Sequence, residues 1–215
     1  MISRLHITAI LFLEVVLWFG ILLVKGTPFG SEQLAPFSTV VGMTVIALAV
    51  FDKWIWKWDK LRGWFVKKPN ISGSWLIQLH YEYNDEKLVK DAFLVVRQRF
   101  SHLSIKMLSD ESSSQLTSSS IGVAEDGTYW IYAVYRNEPN MEVRERSEIH
   151  YGGLRLVVAG DPPSGLSGVY WTDRRSRGDI RTVAYWPKKE FATFEAADSE
   201  RQRQAAPSDA ASEGG

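Results

Sequence analysis

The chain has 215 residues with 25 basic and 25 acidic side chains, so overall charge draws it to neither nucleic acid nor membrane, and any such affinity must come from local clusters. Cysteine is absent, which excludes disulfides and thiolate metal sites and fits a reducing compartment. Residues 1–51 differ in kind from the rest, and the remainder is long enough for one domain of about 100–150 residues.

The run LHITAILFLEVVLWFGILLV, Leu5 to Val24, is almost wholly apolar. Twenty helical residues rise about 30 Å, the thickness of a hydrocarbon core. LAPFSTVVGMTVIALAVF, Leu34 to Phe51, is a second candidate span, and the polar link KGTPFGSEQ between them has the residues of a tight exposed turn. Residues 1–51 therefore read as a transmembrane hairpin. The competing reading, a cleaved signal peptide, lacks a small-x-small site after the apolar run and leaves the second span unexplained.

Glu14 sits near the middle of the first span, where a carboxyl costs about 3 kcal/mol unless it faces protein or water. Ser38, Thr39 and Thr44 are candidate partners. It either helps assemble spans of several subunits or lines a polar path, or it is a protonated glutamate tolerated within one hairpin; both readings stand.

Residues 52–69 form a basic linker crowded with Trp54, Trp56, Trp58 and Trp64. Lys53, Lys57, Lys60, Arg62, Lys67 and Lys68 follow the second span, whereas the short loop holds Lys25 offset by Glu32. The positive-inside rule places both termini in the cytoplasm, the tryptophans match an interfacial aromatic belt, and the lysines can meet anionic headgroups. A soluble helix packed by its aromatics is the alternative.

From Gly73 the hydrophobic period changes to two. SWLIQLHYEY opens the series, followed by Lys90 to Arg99, Leu103 to Leu108, Ser113 to Val123, TYWIYAVYR, EIHYGGLRLVV, GLSGVYWTD and DIRTVAYW. Eight short strands without an amphipathic helix between them suggest a sandwich or an up-and-down barrel. The barrel is favoured, with lipocalin- or avidin-like closure around side chains or one small ligand. The predicted fold is thus a membrane-anchored all-β protein with an antiparallel eight-stranded barrel over residues 70–190. The tail, residues 191–215, lacks strand patterning and reads as disordered.

Enzymatic signals are thin. His6, His80, His102 and His150 lack metal-ligand spacing, no Walker loop, GxSxG or HExxH occurs, and nothing brings Asp91 and Glu148 together. The expectation is a protein that is not an enzyme, with no catalytic residue, no metal and no cofactor.

A binding site has better support. In an up-and-down barrel, odd-numbered strands end at the rim opposite the linker and even-numbered strands begin there. That rim would gather Tyr81 and Tyr83, Tyr135, Arg136 and Asn137, His150, and Tyr170, Thr172 and Arg174. Parity places Leu166, Gly168, Tyr170, Thr172 and Arg174 on one face, and His150, Gly152, Leu154 and Leu156 on another. Each runs from apolar to polar and aromatic, as in a cup for a partly polar ligand. Singly, such residues are more commonly packing or solvated charge, as Arg175, Ser176, Arg177 and Gly178 in the turn beyond are read to be; only the convergence points to a site.

Two spans and a β-rich domain carrying ISGSW, YRNEP, IHYGGLRL and LSGVYWTDRRSRGDI in order resemble the two-transmembrane β-strand-rich effectors of cyclic-oligonucleotide-based anti-phage defence (CBASS), over roughly Leu5 to Trp186. The resemblance implies a cyclic dinucleotide, made by a partner nucleotidyltransferase, as activating ligand of the cytoplasmic barrel. It further implies homo-oligomerisation through the spans, disruption of the bacterial inner membrane and arrested growth, with inner-membrane lipid as partner and no nucleic-acid polymer. By position it carries over Tyr135, Asn137 and Pro139, then His150 and Gly152, then Gly168, Tyr170, Thr172, Arg174 and Gly178. Gly153 departs from the small polar residue common there, and Arg175 and Arg177 add charge. The alternative function is a constitutive membrane-tethered barrel that binds lipid or another small hydrophobic ligand.

Overall fold

The computed structural model describes residues 4–26, 37–83 and 86–205, except for the side chains of residues 4–7, 25, 37–38 and 83. The expected inter-span turn at residues 27–33, the start of the second span at residues 34–36, the Ser38 and Tyr83 side chains and the last ten residues lie outside the described set. The chain divides into two units.

The first unit spans residues 1–68 and includes residues 99–101. Its helices are α1 (Arg4–Lys25) and α2 (Phe37–Lys53). Their apolar composition leaves most large side chains facing outward: Phe12, Val15, Leu23 and Val24 on α1 and Val45 and Ile46 on α2 are more than half exposed. Val40 and Thr44, one helical turn apart, make the buried face of α2. By length and composition the helix Thr39–Lys57 can cross a membrane, and Thr8–Val24 is a shorter apolar helix. Glu14 is half-buried, and the hydroxyl of Thr44, one of its three candidate partners, is buried without a hydrogen-bond partner.

After α2 the chain makes two 3-10 turns, Ile55–Lys57 and Asp59–Leu61. The four tryptophans divide. Trp56 is buried and packs 6.4 Å from the ring of Phe100, while Trp54, Trp58 and Trp64 are 56%, 58% and 62% exposed. Phe100 also meets Phe51 at 5.1 Å, donates its N–H to the carbonyl of Asp52, and accepts the ammonium of Lys68 on its own carbonyl at 2.8 Å. Trp56 thus packs inward while Trp54, Trp58 and Trp64 face outward, and the stretch forms two 3-10 turns instead of the helix posed above as the alternative.

The second unit is a closed antiparallel barrel in which each strand pairs with its sequence neighbours and the last pairs with the first. Its strands are β1 (Gly73–Tyr83), β2 (Glu86–Gln98), β3 (Leu103–Leu108), β4 (Ser112–Val123), β5 (Tyr129–Pro139), β6 (His150–Ala159), β7 (Gly165–Thr172) and β8 (Arg177–Trp186). Alternation sorts the side chains. Trp75, Ile77 and Leu79 of β1 join Leu94, Ile131, Leu156 and Leu166 inside, whereas Leu76 joins Phe93, Val95, Leu108 and Trp186 in a separate cluster. Trp75 stacks on Tyr185 at 3.6 Å, and the amide of Gln98 bonds both Ile71 and Pro69, closing the end nearest the linker.

The tail departs from expectation. Phe194–Ala205 form α3, with Ala197 fully buried among Phe93, Trp186, Phe191 and Phe194. The helix has a weak apolar signal because its docking rests on Phe194 and Ala197, three residues apart, together with the preceding Phe191.

Candidate functional site

The strand order places the ends of β1, β3, β5 and β7 and the starts of β2, β4, β6 and β8 at one rim, as predicted. On β5, Ile131, Ala133, Tyr135 and Asn137 are buried and alternate with exposed Tyr132, Val134, Arg136 and Glu138. The registers align the interior rim residues in three neighbouring rows. Tyr81 lies opposite Gly178 and Gly178 opposite Tyr170. Tyr135 lies opposite Gly152 and Gly152 opposite Thr172. Ser114 lies opposite Asn137 and Asn137 opposite His150.

Arg174 stands above these rows in the β7–β8 turn, which holds residues 173–176. Arg177 and Gly178, expected in that turn, are the first residues of β8. The guanidinium of Arg174 donates to Ser147 Oγ at 3.2 Å and approaches His150 Nε2 at 3.5 Å. His150 Nδ1 lies 3.0 Å from the carbonyl of Glu148, which can only accept. Nδ1 is therefore the donor to that carbonyl, which leaves Nε2 to accept from Arg174. The turn itself is fixed by Asp173, whose carboxylate accepts the N–H of Tyr151, and by Thr172, whose hydroxyl bonds Ser176 Oγ at 2.6 Å. Thr172 accordingly shapes the turn, whereas Arg174 has no carboxylate partner among the described residues.

Glycines let the tyrosines lie flat. A β-carbon at Gly178 would fall 2.8 Å from the Tyr170 ring, and the Tyr135 ring lies similarly over Gly152. On the outer face, Gly153 supports the Trp171 ring, where a β-carbon would fall 2.5 Å away, which gives that departure from the family pattern a packing reason. Burial pushes the Tyr135 hydroxyl well above its ordinary pKa, with Tyr170 and Asp173 adding to the shift. Burial, then the neighbouring Tyr81, pushes Tyr170 up to about 12. Both hydroxyls are therefore protonated donors at neutral pH.

Two rim residues carried no sequence signal. Ser114 is 2% exposed and its Oγ has no partner, like Oδ1 of neighbouring Asn137. The void beside Ser114, bounded by Leu94, Met107, Tyr135 and Leu154, holds about 10 Å³, room for one water molecule and not for a lipid chain. Lys90 follows the inward parity of Ala92 and Leu94, and its ammonium meets Asp110 at 2.7 Å and Glu111 at 2.9 Å; Glu111 also pairs with Arg146. Burial opposes charge on Lys90, but the hydrogen bonds it donates to Asp110 and Glu111 outweigh it and raise its pKa. The Lys90 hydrogen bond in turn holds Glu111 below the usual carboxylate range. Asp91, by contrast, pairs with Arg201 of α3, and among the described residues no group of three His, Asp or Glu is arranged to hold a metal.

A family model described as Cap15, cyclic dinucleotide receptor domain, matches residues 66–183, more than half of the chain and a stretch that includes every rim residue named above. The chain belongs to the Cap15 family. Among curated proteins none matches. Cap15 membership agrees with the resemblance to CBASS two-transmembrane β-rich effectors and makes the barrel a cyclic dinucleotide receptor domain.

Proposed function

We propose that this protein is a membrane-anchored anti-phage effector whose barrel rim binds a cyclic dinucleotide made by a partner nucleotidyltransferase. Binding drives oligomerisation through α1 and α2 and disrupts the inner membrane, with the barrel and both termini on the cytoplasmic side. The observation that carries the reading is the juxtaposition of an unneutralised guanidinium, Arg174, with a half-buried tyrosine floor and two buried, unpartnered polar atoms on Ser114 and Asn137.

Each residue has a chemical part. Arg174 offers a planar pair of donors to a phosphodiester. Tyr81, Tyr135 and Tyr170 offer rings to the bases and hydroxyls to their edges. The amide of Asn137 supplies a donor and an acceptor, and His150 holds Arg174 over the mouth. Outward-facing apolar side chains on both helices and the exposed Trp54, Trp58 and Trp64 support insertion, with the tryptophans at the headgroups. Constitutive lipid carriage is less well supported, because side chains fill the barrel beneath Tyr135.

The test is thermal-shift and calorimetric titration of the full-length protein in detergent with a panel of cyclic di- and trinucleotides. Stabilisation by at least one cyclic dinucleotide is expected; none by any member removes the reading.

A further inference from the structure

A cyclic dinucleotide carries two phosphodiesters, whereas of the two cations Arg174 and Lys90 at the rim rows, Lys90 is held by Asp110 and Glu111 and, among the described residues, Arg174 has no carboxylate partner. A second cationic position lies nearby. A cleft of about 670 Å³ opens among β1, β2, β7 and β8 and shares Tyr81 and Tyr170 with the rim site. That volume falls within the range of about 300–1,000 Å³ common for small-molecule sites.

The remaining walls come from the outward face. Gly178 and Ile180 of β8 follow the inward parity, so Arg177, Asp179 and Arg181 face out, and His80 of β1 lies opposite Asp179. Arg177 and Arg181 form no ion pair among the described residues, although Asp179 lies between them on the same strand face. Nε2 of His80 is buried and has no hydrogen-bond partner. A buried polar atom left unpaired costs about 1–3 kcal/mol, which a ligand oxygen or hydroxyl at this place recovers. Cations without partners, an unsatisfied imidazole nitrogen and an open volume thus coincide beside two of the rim tyrosines.

We propose that this cleft is the second half of the nucleotide site. One phosphodiester is held at Arg174 over the mouth and the other at Arg177 and Arg181 on the outer face of β8. Tyr81 and Tyr170 lie beneath the span between them, and His80 bonds the ligand at the floor of the cleft. The proposal rests on the cyclic dinucleotide reading above and adds to it a residue set, on the opposite face of the strand, that selects ligands with two phosphates at cyclic spacing.

The test is calorimetric titration of the full-length protein in detergent with cyclic di-GMP, cyclic di-AMP and cyclic GMP-AMP, each beside its linear dinucleotide. The Arg177→Ala/Arg181→Ala pair is compared with Arg155→Ala, which removes an outward-facing arginine of β6 that does not line the cleft. Expected is at least a tenfold loss of affinity for the cyclic ligand in the double variant, less than threefold in Arg155→Ala, and partial recovery in Arg177→Lys/Arg181→Lys. The loss should also narrow the preference for cyclic over linear ligand. Wild-type affinity in the double variant, or an equal loss in Arg155→Ala, overturns the proposal. If wild-type protein binds none of the three ligands, the reading beneath it fails instead, so the two failures are distinguishable.

Discussion

Tyr135 lies across Gly152 so closely that a β-carbon at Gly152 would come within 2.4 Å of ring atom Cζ and 2.5 Å of the hydroxyl. The floor of the rim site therefore depends on a hydrogen atom in place of a side chain on the neighbouring strand. Gly152→Ala is expected to displace the ring and destabilise the barrel by about 1–3 kcal/mol, as overpacking does. It should also abolish nucleotide binding. A lowered melting temperature together with lost calorimetric signal checks this, and an unchanged melt would mean that Tyr135 does not need the cradle.

Arg174 is exposed and lies outside the core, so Arg174→Ala should leave stability within about 0.5 kcal/mol of wild type. A charged hydrogen bond is worth about 1.5–3 kcal/mol, and binding should weaken at least tenfold. Arg174→Lys keeps the charge but not the planar pair of donors, and should recover only part of the affinity. Titration of the three proteins with one cyclic dinucleotide distinguishes these outcomes.

Folding depends on pH through the rim. Tyr135, Tyr170 and Lys90 all have raised pKa values in the folded state, so each adds stability that is fully present below its unfolded value, near 10 for the tyrosines and 10.5 for the lysine. That contribution is lost as pH rises through the folded values. Glu111 has a lowered value, so its contribution is present above about 4.5 and is lost as pH falls below that. Melting temperature should fall steeply above pH 10, accompanied by late-titrating tyrosinate absorbance. Tyr170→Phe should remove the portion of that absorbance which titrates near 12.

Glu14→Leu removes the carboxyl from the apolar run of α1. Nucleotide affinity should be unchanged, because every residue of the proposed site belongs to the barrel, while ligand-triggered leakage of dye from liposomes should be lost. Retained leakage would take Glu14 out of the effector step.

Much of the barrel was legible because period-two alternation is strong where one strand face meets a core. β1, β5 and β6 show it clearly, and with it the inward parity of Tyr81, Tyr135, Asn137 and His150. β4 does not. Its serine-rich sequence has no apolar face to read, and a register shift between Leu116 and Ser118 changes the parity along the strand, which hid Ser114. Lys90 was hidden differently. A lysine in a strand reads as outward, and only the turn acids Asp110 and Glu111 make its inward position tolerable. For α3, docking depends on Phe191, Phe194 and Ala197 meeting Phe93 and Trp186, partners supplied by the outer face of the barrel.

The closure of β1 on β8 has a further consequence. Every other pairing joins strands adjacent in the chain, but this seam joins Tyr81 to Gly178, almost the full length of the barrel apart. Tyr81 and Tyr170 flank that seam on either side of β8. A growing or truncated chain without β8 can form most of its hairpins and still cannot bring those two rings together. Sensitivity to the ligand therefore arrives with the longest-range contact in the domain, the kind that carries the largest loop-closure cost. On the proposed reading, an incomplete chain cannot assemble the nucleotide site and so cannot trigger the membrane step.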